Sequence, residues 1–493
     1  MLAWGRYELL LVQNPYVSTK WSYAFNKLWK RPIRASNITF LIRNKIYIFM
    51  FPIENMKKEI FKKLLVEWSE RKLPEMIRRE LKLDVNGKKI VVVTGVRRAG
   101  KTYLLFSTIN DLVASGHVDK KSIIYINFED ERLGSISAND LEDLTAAYYE
   151  LYGTNKGKLW LFVDEIQNVD GWEKWIRRIY DSGKYNVFVT GSNSKFLSAD
   201  IATSLSGRNI TYVVYPFSFG EFISAKGLSL DKMTVYSEQR LAEIHRVLEE
   251  YLIYGGFPEV SDEEDKNKKL KILSEYYNAI FFKDIIKRFK IRDTDLLDKT
   301  IRYALGSLSQ QFSVTKINNF FRTIGINSSK KTINNFIKYA QDVFLIYQLF
   351  PYSRSIKKRL QSHKKLYIVD MGMATLFNSD IQRGRLLENL VYIELLRKKE
   401  MNATVNIGFW KNLRGEEVDF IVTRGEKVEN LIQCVYDVSD GATKEREVRA
   451  LIDAIDFYQL DRGYIITYDY EAEENIKGKK IKFIPLWKWL LNI

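Results

Sequence analysis

Val91-Val92-Val93-Thr94-Gly95-Val96-Arg97-Arg98-Ala99-Gly100-Lys101-Thr102 reads as a strand, then G-x-x-x-x-G-K-T, then the start of a helix continuing through Tyr103-Leu104-Leu105-Phe106. Glycines at 95 and 100 let the backbone turn tightly, so that successive N–H groups of Val96, Arg97, Arg98 and Ala99 can face phosphate oxygens. Lys101 supplies positive charge for the β- and γ-phosphates, and the Thr102 hydroxyl suits Mg²⁺. The N-terminus of the following helix adds partial positive charge at the same point.

Outward from this loop, apolar runs at Ser122–Phe128, Leu159–Val163, Tyr185–Thr190 and Thr211–Tyr215 alternate with helical patterns. That alternation predicts an α/β fold with a parallel sheet covered on both faces. A helix over Met56 to about Leu83, apolar at Ile60, Leu64, Leu65 and Trp68, precedes the loop, with a second helix expected around Met76–Leu81.

Leu159-Trp160-Leu161-Phe162-Val163-Asp164-Glu165 is an apolar strand ending in two carboxylates. Behind a phosphate loop, Asp164 is placed to hold Mg²⁺ and Glu165 to polarise the attacking water. The next strand ends in Thr190-Gly191-Ser192-Asn193, where Ser192 or Asn193 can sense the γ-phosphate. Arg208, in Leu205-Ser206-Gly207-Arg208, either neutralises charge on the transferred phosphoryl group or is an ordinary loop arginine.

The series GVRRAGKT, LFVDEIQ, VFVTGSNS, LSGR, VYPFSFGEF and GGFP resembles one family of AAA-like and STAND-like P-loop ATPases, abundant in archaea and found in bacteria. The resemblance runs from about Met56 to the C-terminus. It implies ATP as the nucleotide, with Lys101 and Thr102 on phosphate and Mg²⁺, Asp164 on metal, Glu165 on water and Arg208 as sensor or finger. It also implies that Pro258 lies near the adenine and ties a helical lid to the nucleotide state. Read from the residues alone, Gly255 and Pro258 serve equally well as turn residues.

The expected organisation is an N-terminal extension over 1–55, a P-loop ATPase core over 56–230, a helical lid over 231–290, a winged helix-turn-helix over 291–352 and an α/β nuclease-like domain over 353–493. The winged domain is read from helix, helix, a turn at Gly325, a third helix, then a strand at Val343–Leu349. Its recognition helix would be capped by Ser328 or Ser329 and buried through Ile333, Phe336 and Ile337. Lys330, Lys331, Asn334, Asn335 and Lys338 would then face outward, toward DNA or merely solvent.

The last section resembles the domain that accompanies these ATPases, with a restriction-endonuclease-like PD-(D/E)xK pattern. Glu388 stands for its helix acid and Asp419 for its strand aspartate. The third element, Leu431-Ile432-Gln433-Cys434-Val435, has Gln433 and Val435 where glutamate and lysine are expected. A neutral amide is a poor ligand for a hard cation, so this degenerate site is read as serving binding rather than cleavage.

Composition narrows the classes. At 493 residues the chain exceeds a single core, and 46% hydrophobic with 14% aromatic content excludes disorder. One cysteine, Cys434, precludes an intrachain disulfide and suits a reducing cytoplasm, and three scattered histidines leave no zinc cluster. The net charge of +16 fits a polyanionic partner, although residues 1–55, with eight Lys/Arg against two Asp/Glu, hold +6 of it. Their apolar part, Ile38 to Ile53, is broken by Arg43 and Lys45, which argues against a membrane span. They are read as either a misplaced start ahead of Met56 or a basic arm.

The function expected is a cytoplasmic, Mg²⁺-dependent ATPase whose nucleotide state switches binding to DNA, through the winged helix, or to a protein, through the C-terminal domain. Oligomers are allowed. The rivals are an ATP-gated DNA nuclease and a nucleotide-binding scaffold with little turnover.

Overall fold

Strand and helix alternate along the chain in a computed structural model that describes residues 39–42, 45–48, 53–116, 118–153, 157–192, 205, 207–229, 236–353, 355–378, 380–412 and 414–493. The chain divides into two units, Met1–Lys72 with Ser115–Phe188, and Leu73–Ala114 with Val189–Ile493. Much of the expected extension over 1–55 lies outside the described residues. Within it, β1 (Thr39–Ile42) and β2 (Lys45–Ile48) pair as an antiparallel hairpin.

In the first unit, α1 (Ile53–Glu70) buries Phe61, Leu65 and Trp68, whose spacing puts them on one helical face. The second unit opens on residues 73–89, which contain no helix. The helix expected around Met76–Leu81 is therefore absent. Its tertiary ties explain why: the Arg79 guanidinium and the Glu80 N–H are taken up by residues far along the chain. Next come β3 (Ile90–Thr94), buried at every position, and α2 (Lys101–Ala114).

The first unit continues with β4 (Ile123–Asn127), α3 (Leu141–Tyr152), β5 (Leu159–Asp164) and α4 (Trp172–Asp181). Here β4 and β5 pair in parallel, Asn127 opposite Asp164, and Phe162 stacks on Phe188 with ring centroids 4.5 Å apart. The chain passes into the second unit within β6 (Tyr185–Gly191). There β7 (Asn209–Val213) pairs in parallel with β3, Ile90 opposite Asn209 and Thr94 opposite Val213.

Helices follow: α5 (Phe219–Ala225), α6 (Glu238–Tyr254), α7 (Pro258–Asp262) and α8 (Lys266–Ala279), which runs on as a π-helix over Ile280–Lys287. Ser218 starts α5 with a capping box, its hydroxyl accepting from Glu221 N while the Glu221 carboxylate accepts from Ser218 N.

The segment expected to form a winged helix contains α9 (Thr294–Gly306), β8 (Gln311–Phe312), α10 (Val314–Thr323), α11 (Lys330–Asp342) and β9 (Ile346–Leu349), and β10 (Lys364–Ile368) follows beyond its expected end. Ser329, not Ser328, caps α11, accepting from Thr332 N at 3.1 Å, while Ile333, Phe336 and Ile337 are buried. The strand β10, which the sequence assigns to the last section, sits between β8 and β9 in an antiparallel sheet.

After α12 (Met371–Thr375) and the long α13 (Arg383–Met401), β11 (Val405–Lys411), β12 (Glu417–Arg424) and β13 (Lys427–Val435) form an antiparallel meander. The chain then makes α14 (Gly441–Phe457), β14 (Arg462–Thr467), β15 (Ala472–Ile476), β16 (Lys479–Pro485) and α15 (Leu486–Leu491). The six strands lie in the order β11-β12-β13-β14-β16-β15, parallel at β13–β14 and β14–β16. Leu451 and Ile455 of α14 pack on Val418, Leu431, Ile465 and Phe483 to close that core. Among the described residues, no helix is long and apolar enough to cross a membrane.

Candidate functional site

The loop after β3 takes the backbone shape its glycines permit. Gly95 has φ +144°, and a Cβ there would stand 2.1 Å from the Val214 carbonyl oxygen. Gly100 has φ +95°, and even Arg98, a residue with a side chain, is held at φ +68°. Val96 and Ala99 are fully buried, and Lys101 is 4% exposed with Nζ donating to the Gly95 and Val96 carbonyls at 3.2 and 3.1 Å. A buried ammonium gathered under a positive-φ loop at a helix start is a setting for an anion.

Other elements of the same unit hold this loop. The Arg97 Nε and Nη2 donate to Asp284 Oδ2 and Oδ1 at 2.9 and 3.1 Å, reaching the π-helical turn. Arg98 lies over the Tyr276 ring, 5.5 Å from its centroid, and the Tyr276 hydroxyl donates to Glu259. Both arginine side chains thus engage the helices that follow the core. Arg79 donates to the Ala99 carbonyl at 3.1 Å and the Tyr215 carbonyl at 2.6 Å, with Glu221 Oε1 3.1 Å from its Nε. No sequence motif marks Arg79, Tyr276 or Asp284.

Pro258 is the first residue of α7, where its missing N–H costs nothing, and a Cβ on Gly100 would lie 3.8 Å from its Cγ. Its neighbours leave no room: Gly255 has φ +74° and faces Asp370, whose carboxylate accepts from Gly256 N at 2.7 Å and Gly372 N at 2.9 Å. Burial pushes the Asp370 carboxyl up to about 7 despite these hydrogen bonds. The Phe217 carbonyl, in VYPFSFGEF, accepts from the Tyr251 hydroxyl and from Arg397 of α13.

In the other unit, Asp164 is fully buried at the end of β5, its Oδ2 accepting from the Tyr125 hydroxyl at 3.0 Å. Burial and that carboxylate raise the Tyr125 phenol far above its usual range, so it stays a donor. Glu165 takes the left-handed conformation, φ +53°, and accepts from the Gln167 amide. A non-glycine residue there carries strain of about 1 kcal/mol or more. The sequence pattern marks neither Tyr125 nor Gln167 as a site residue, although Gln167 lies inside LFVDEIQ.

Ser192 is buried, and Asn193 lies outside the described residues. Arg208 precedes β7, and its carbonyl accepts from Ile90 N at 2.8 Å. Its backbone therefore adjoins the start of β3, whereas the loop leaves the other end of that strand.

The expected degenerate nuclease residues do converge. Asp419 N donates to Gln433 Oε1 at 3.0 Å, and Asp419 Oδ2 accepts from Cys434 N at 3.0 Å. Lys365 of β10, 3% exposed, reaches Glu388 Oε1 at 2.9 Å, Glu417 Oε1 at 2.6 Å and Asp419 Oδ1 at 2.8 Å. Burial and Asp419 push the Glu388 carboxyl up to about 8. Burial opposes charge on Lys365, but Asp419, Glu388 and Glu417 outweigh it and hold the ammonium well above its ordinary value. Lys365 escapes a motif search because it comes from a strand ahead of the nuclease-like pattern.

Residues 87–223 match an AAA domain, 245–381 a domain of unknown function (DUF8612) and 383–489 another domain of unknown function (DUF4143). An uncharacterized protein of Methanocaldococcus jannaschii is 37% identical over 443 residues, 88% of this chain and 96% of that one. An uncharacterized protein of Haemophilus influenzae is 30% identical over 400 residues, 81% and 94% of the two chains. The structure of the Aeropyrum pernix ORC1 protein in complex with DNA aligns with 67% of this chain and 93% of its own, at 12% identity and a TM-score of 0.27, too low to bear on this chain's chemistry.

Proposed function

We propose that this chain, which belongs to the same family as those uncharacterized proteins of Methanocaldococcus jannaschii and Haemophilus influenzae and carries an AAA domain of the P-loop ATPase class, hydrolyses ATP with Mg²⁺ as a nucleotide-controlled switch. The observation that carries the reading is the loop itself. Gly95 and Gly100 hold conformations foreign to other residues, and they fold the backbone around the buried Lys101 ammonium. A triphosphate would be held there by the loop from Gly95 to Thr102, with Lys101 supplying charge. Bound Mg²⁺ would neutralise charge developing on the phosphoryl oxygens. The oxygens of Thr102 and Asp164 are the hard donors that such an ion takes.

Glu165 is the proposed base for water. Its carboxylate is tied to Gln167, which fixes its direction and would have to yield or turn with it when water is held. Ser192 is the remaining polar candidate as a γ-phosphate sensor, and Pro258 packs against the loop at Gly100, where a base could also lie. The switching part of the reading is supported by Arg97 and Arg98, which connect the loop to the helices after the core.

The output is proposed to be binding. Exposed Lys330, Lys331, Asn334 and Lys338 on α11 favour nucleic acid, with Asn335 half-buried beside them. From Val343 through Val369 the chain has no acidic residue, and Lys357 and Arg359 in the connection between β9 and β10 are exposed. A helical bundle ending in such a basic hairpin supports the winged-helix reading. A protein partner on the C-terminal domain is the second output.

Phosphate release by the full chain, with isothermal titration of ATP and a non-hydrolysable analogue, tests the proposal. Lys101→Ala should abolish nucleotide uptake. Glu165→Gln should keep it and lose turnover by roughly 10²-fold or more. Uptake by wild type without turnover would leave the scaffold reading, and no uptake would end the proposal.

A further inference from the structure

The nuclease-like section contains a charged cluster that nucleotide chemistry does not use. Its three carboxylates come from α13 and β12: Glu388, Glu417 and Asp419. Such a set is what a divalent cation takes as ligands. Yet the space among them is filled. Lys365 enters from β10, and its Nζ stands within 2.9 Å of one oxygen of each carboxylate. A cation bound to the same oxygens at about 2.0–2.6 Å would coincide with that nitrogen.

The other partners leave little freedom. Glu388 Oε1 also accepts from the Tyr367 hydroxyl at 2.7 Å, and Glu417 Oε2 accepts from Gln311 at 2.8 Å. Asp419 Oδ2 is taken by Cys434 N, and the Gln433 carbonyl oxygen by Asp419 N. Lys365 cannot swing away as a surface lysine would. It lies on the central strand of the β8-β10-β9 sheet with its side chain 4% exposed, and withdrawal would strand a buried ammonium. Among the described residues, no group of three or more His, Cys, Asp or Glu side chains is arranged to hold a metal ion.

We propose that the Lys365 ammonium is the resident cation of this site, standing where a divalent metal would otherwise be gathered, so that removing it opens a latent divalent-cation site. One loss in this section, the lysine expected at Val435, is thereby matched by a lysine arriving from another strand in a different role. It neutralises the carboxylates instead of activating water beside a metal. The cluster also joins the β8-β10-β9 sheet to α13 and β12, which is work for a structural cation.

Mn²⁺ titration of the full, nucleotide-free chain, followed by the paramagnetic resonance of free Mn²⁺, tests this. Wild type and Asp419→Asn should bind Mn²⁺ alike, with no site that depends on Asp419. Lys365→Ala should gain one site per chain, at least tenfold tighter than anything in wild type, and Lys365→Ala/Asp419→Asn should lose it again. An Asp419-dependent Mn²⁺ site in wild type overturns the proposal, as does a folded Lys365→Ala chain that gains none. Should Lys365→Ala fail to fold without metal, Mn²⁺ should restore its melting transition, and a chain that Mn²⁺ leaves unfolded counts against the proposal.

Discussion

Arg97 and Asp284, 187 residues apart in the chain, meet in a two-toothed ion pair with both contacts at 3.1 Å or less. Arg97 belongs to the phosphate-binding-type loop, and Asp284 to a π-helical turn, a geometry that is rare and often placed at functional positions. Asp284 is 4% exposed on its side chain and Arg97 14%. Removing one partner of such a pair leaves a buried charge uncompensated and costs about 3–5 kcal/mol. Asp284→Ala should therefore lower the denaturation midpoint strongly, and Arg97→Ala/Asp284→Ala should recover part of the loss. A double-mutant cycle by chemical denaturation should give about 1–3 kcal/mol of coupling, and additive losses would show that the two groups do not depend on each other.

Asp370 makes stability depend on pH. Its folded-state carboxyl is pushed up to about 7 by burial, against an ordinary 3.8, with the N–H groups of Gly256, Gly372 and Met373 and the Arg397 charge pulling the other way. Between those values the native chain holds a proton that the unfolded chain has released. Stability is then full below about pH 4 and falls as pH rises toward about 7, by as much as ~4 kcal/mol at 1.36 kcal/mol per unit. Urea unfolding at pH 5 and pH 8 should show the decline, and Asp370→Asn should remove about one proton of its slope. A curve identical to wild type would mean that Asp370 is ionised in the native chain at both pH values.

The parts of this molecule legible in the sequence are those whose signal is local. The loop from Gly95 to Thr102 declares its turn through two glycines, and β5 declares its carboxylates by ending an apolar run. Helix α11 shows its buried face through Ile333, Phe336 and Ile337. What stayed hidden depends on partners distant in sequence. Arg79 looks helical within Met76–Leu81, yet it is drawn to the carbonyls of Ala99 and Tyr215, and the helix does not form. Tyr125 reads as one more strand aromatic until Asp164 lies beside its hydroxyl. Lys365 reads as the second of two lysines at a strand start, and only the pairing of β10 with β8 and β9 brings it among Glu388, Glu417 and Asp419. Tertiary contact overrides local pattern most strongly where charge is buried, because a buried charge must find its partner wherever that partner is.

The basic face of α11 carries its own prediction. If Lys330 and Lys331 each neutralise a phosphate, DNA binding by the full chain should weaken with salt. Lys330→Ala/Lys331→Ala should reduce the slope of log K against log salt by about two, at roughly 0.9 per phosphate contact. The loss should be similar for unrelated DNA sequences, since phosphate contacts carry no base information. An unchanged slope would return these lysines to the role of a solvated helix face. Fluorescence anisotropy with a labelled duplex over a series of salt concentrations measures it.

Arg208 stands too far from its own loop to act there. Ile90 N donates to the Arg208 carbonyl, and Gly95 follows five residues later, past the far end of β3. At about 3.3 Å per strand residue that separation is roughly 16 Å, beyond the span of an arginine side chain. A role at a phosphoryl group would then have to be played on a neighbouring copy of the chain. Arg208→Ala should in that case lower turnover by roughly 10³-fold without weakening ATP binding, as expected when a single cation stabilising the transition state is lost. Lys101→Ala, which removes the loop's charge but keeps Arg208, should be inactive too. Mixed together, the two inactive chains should regain turnover, because a chain with an intact loop can then meet a neighbour with an intact Arg208. A mixture as inactive as its components, under conditions where the chains exchange, would reduce Arg208 to a loop residue beside the start of β3.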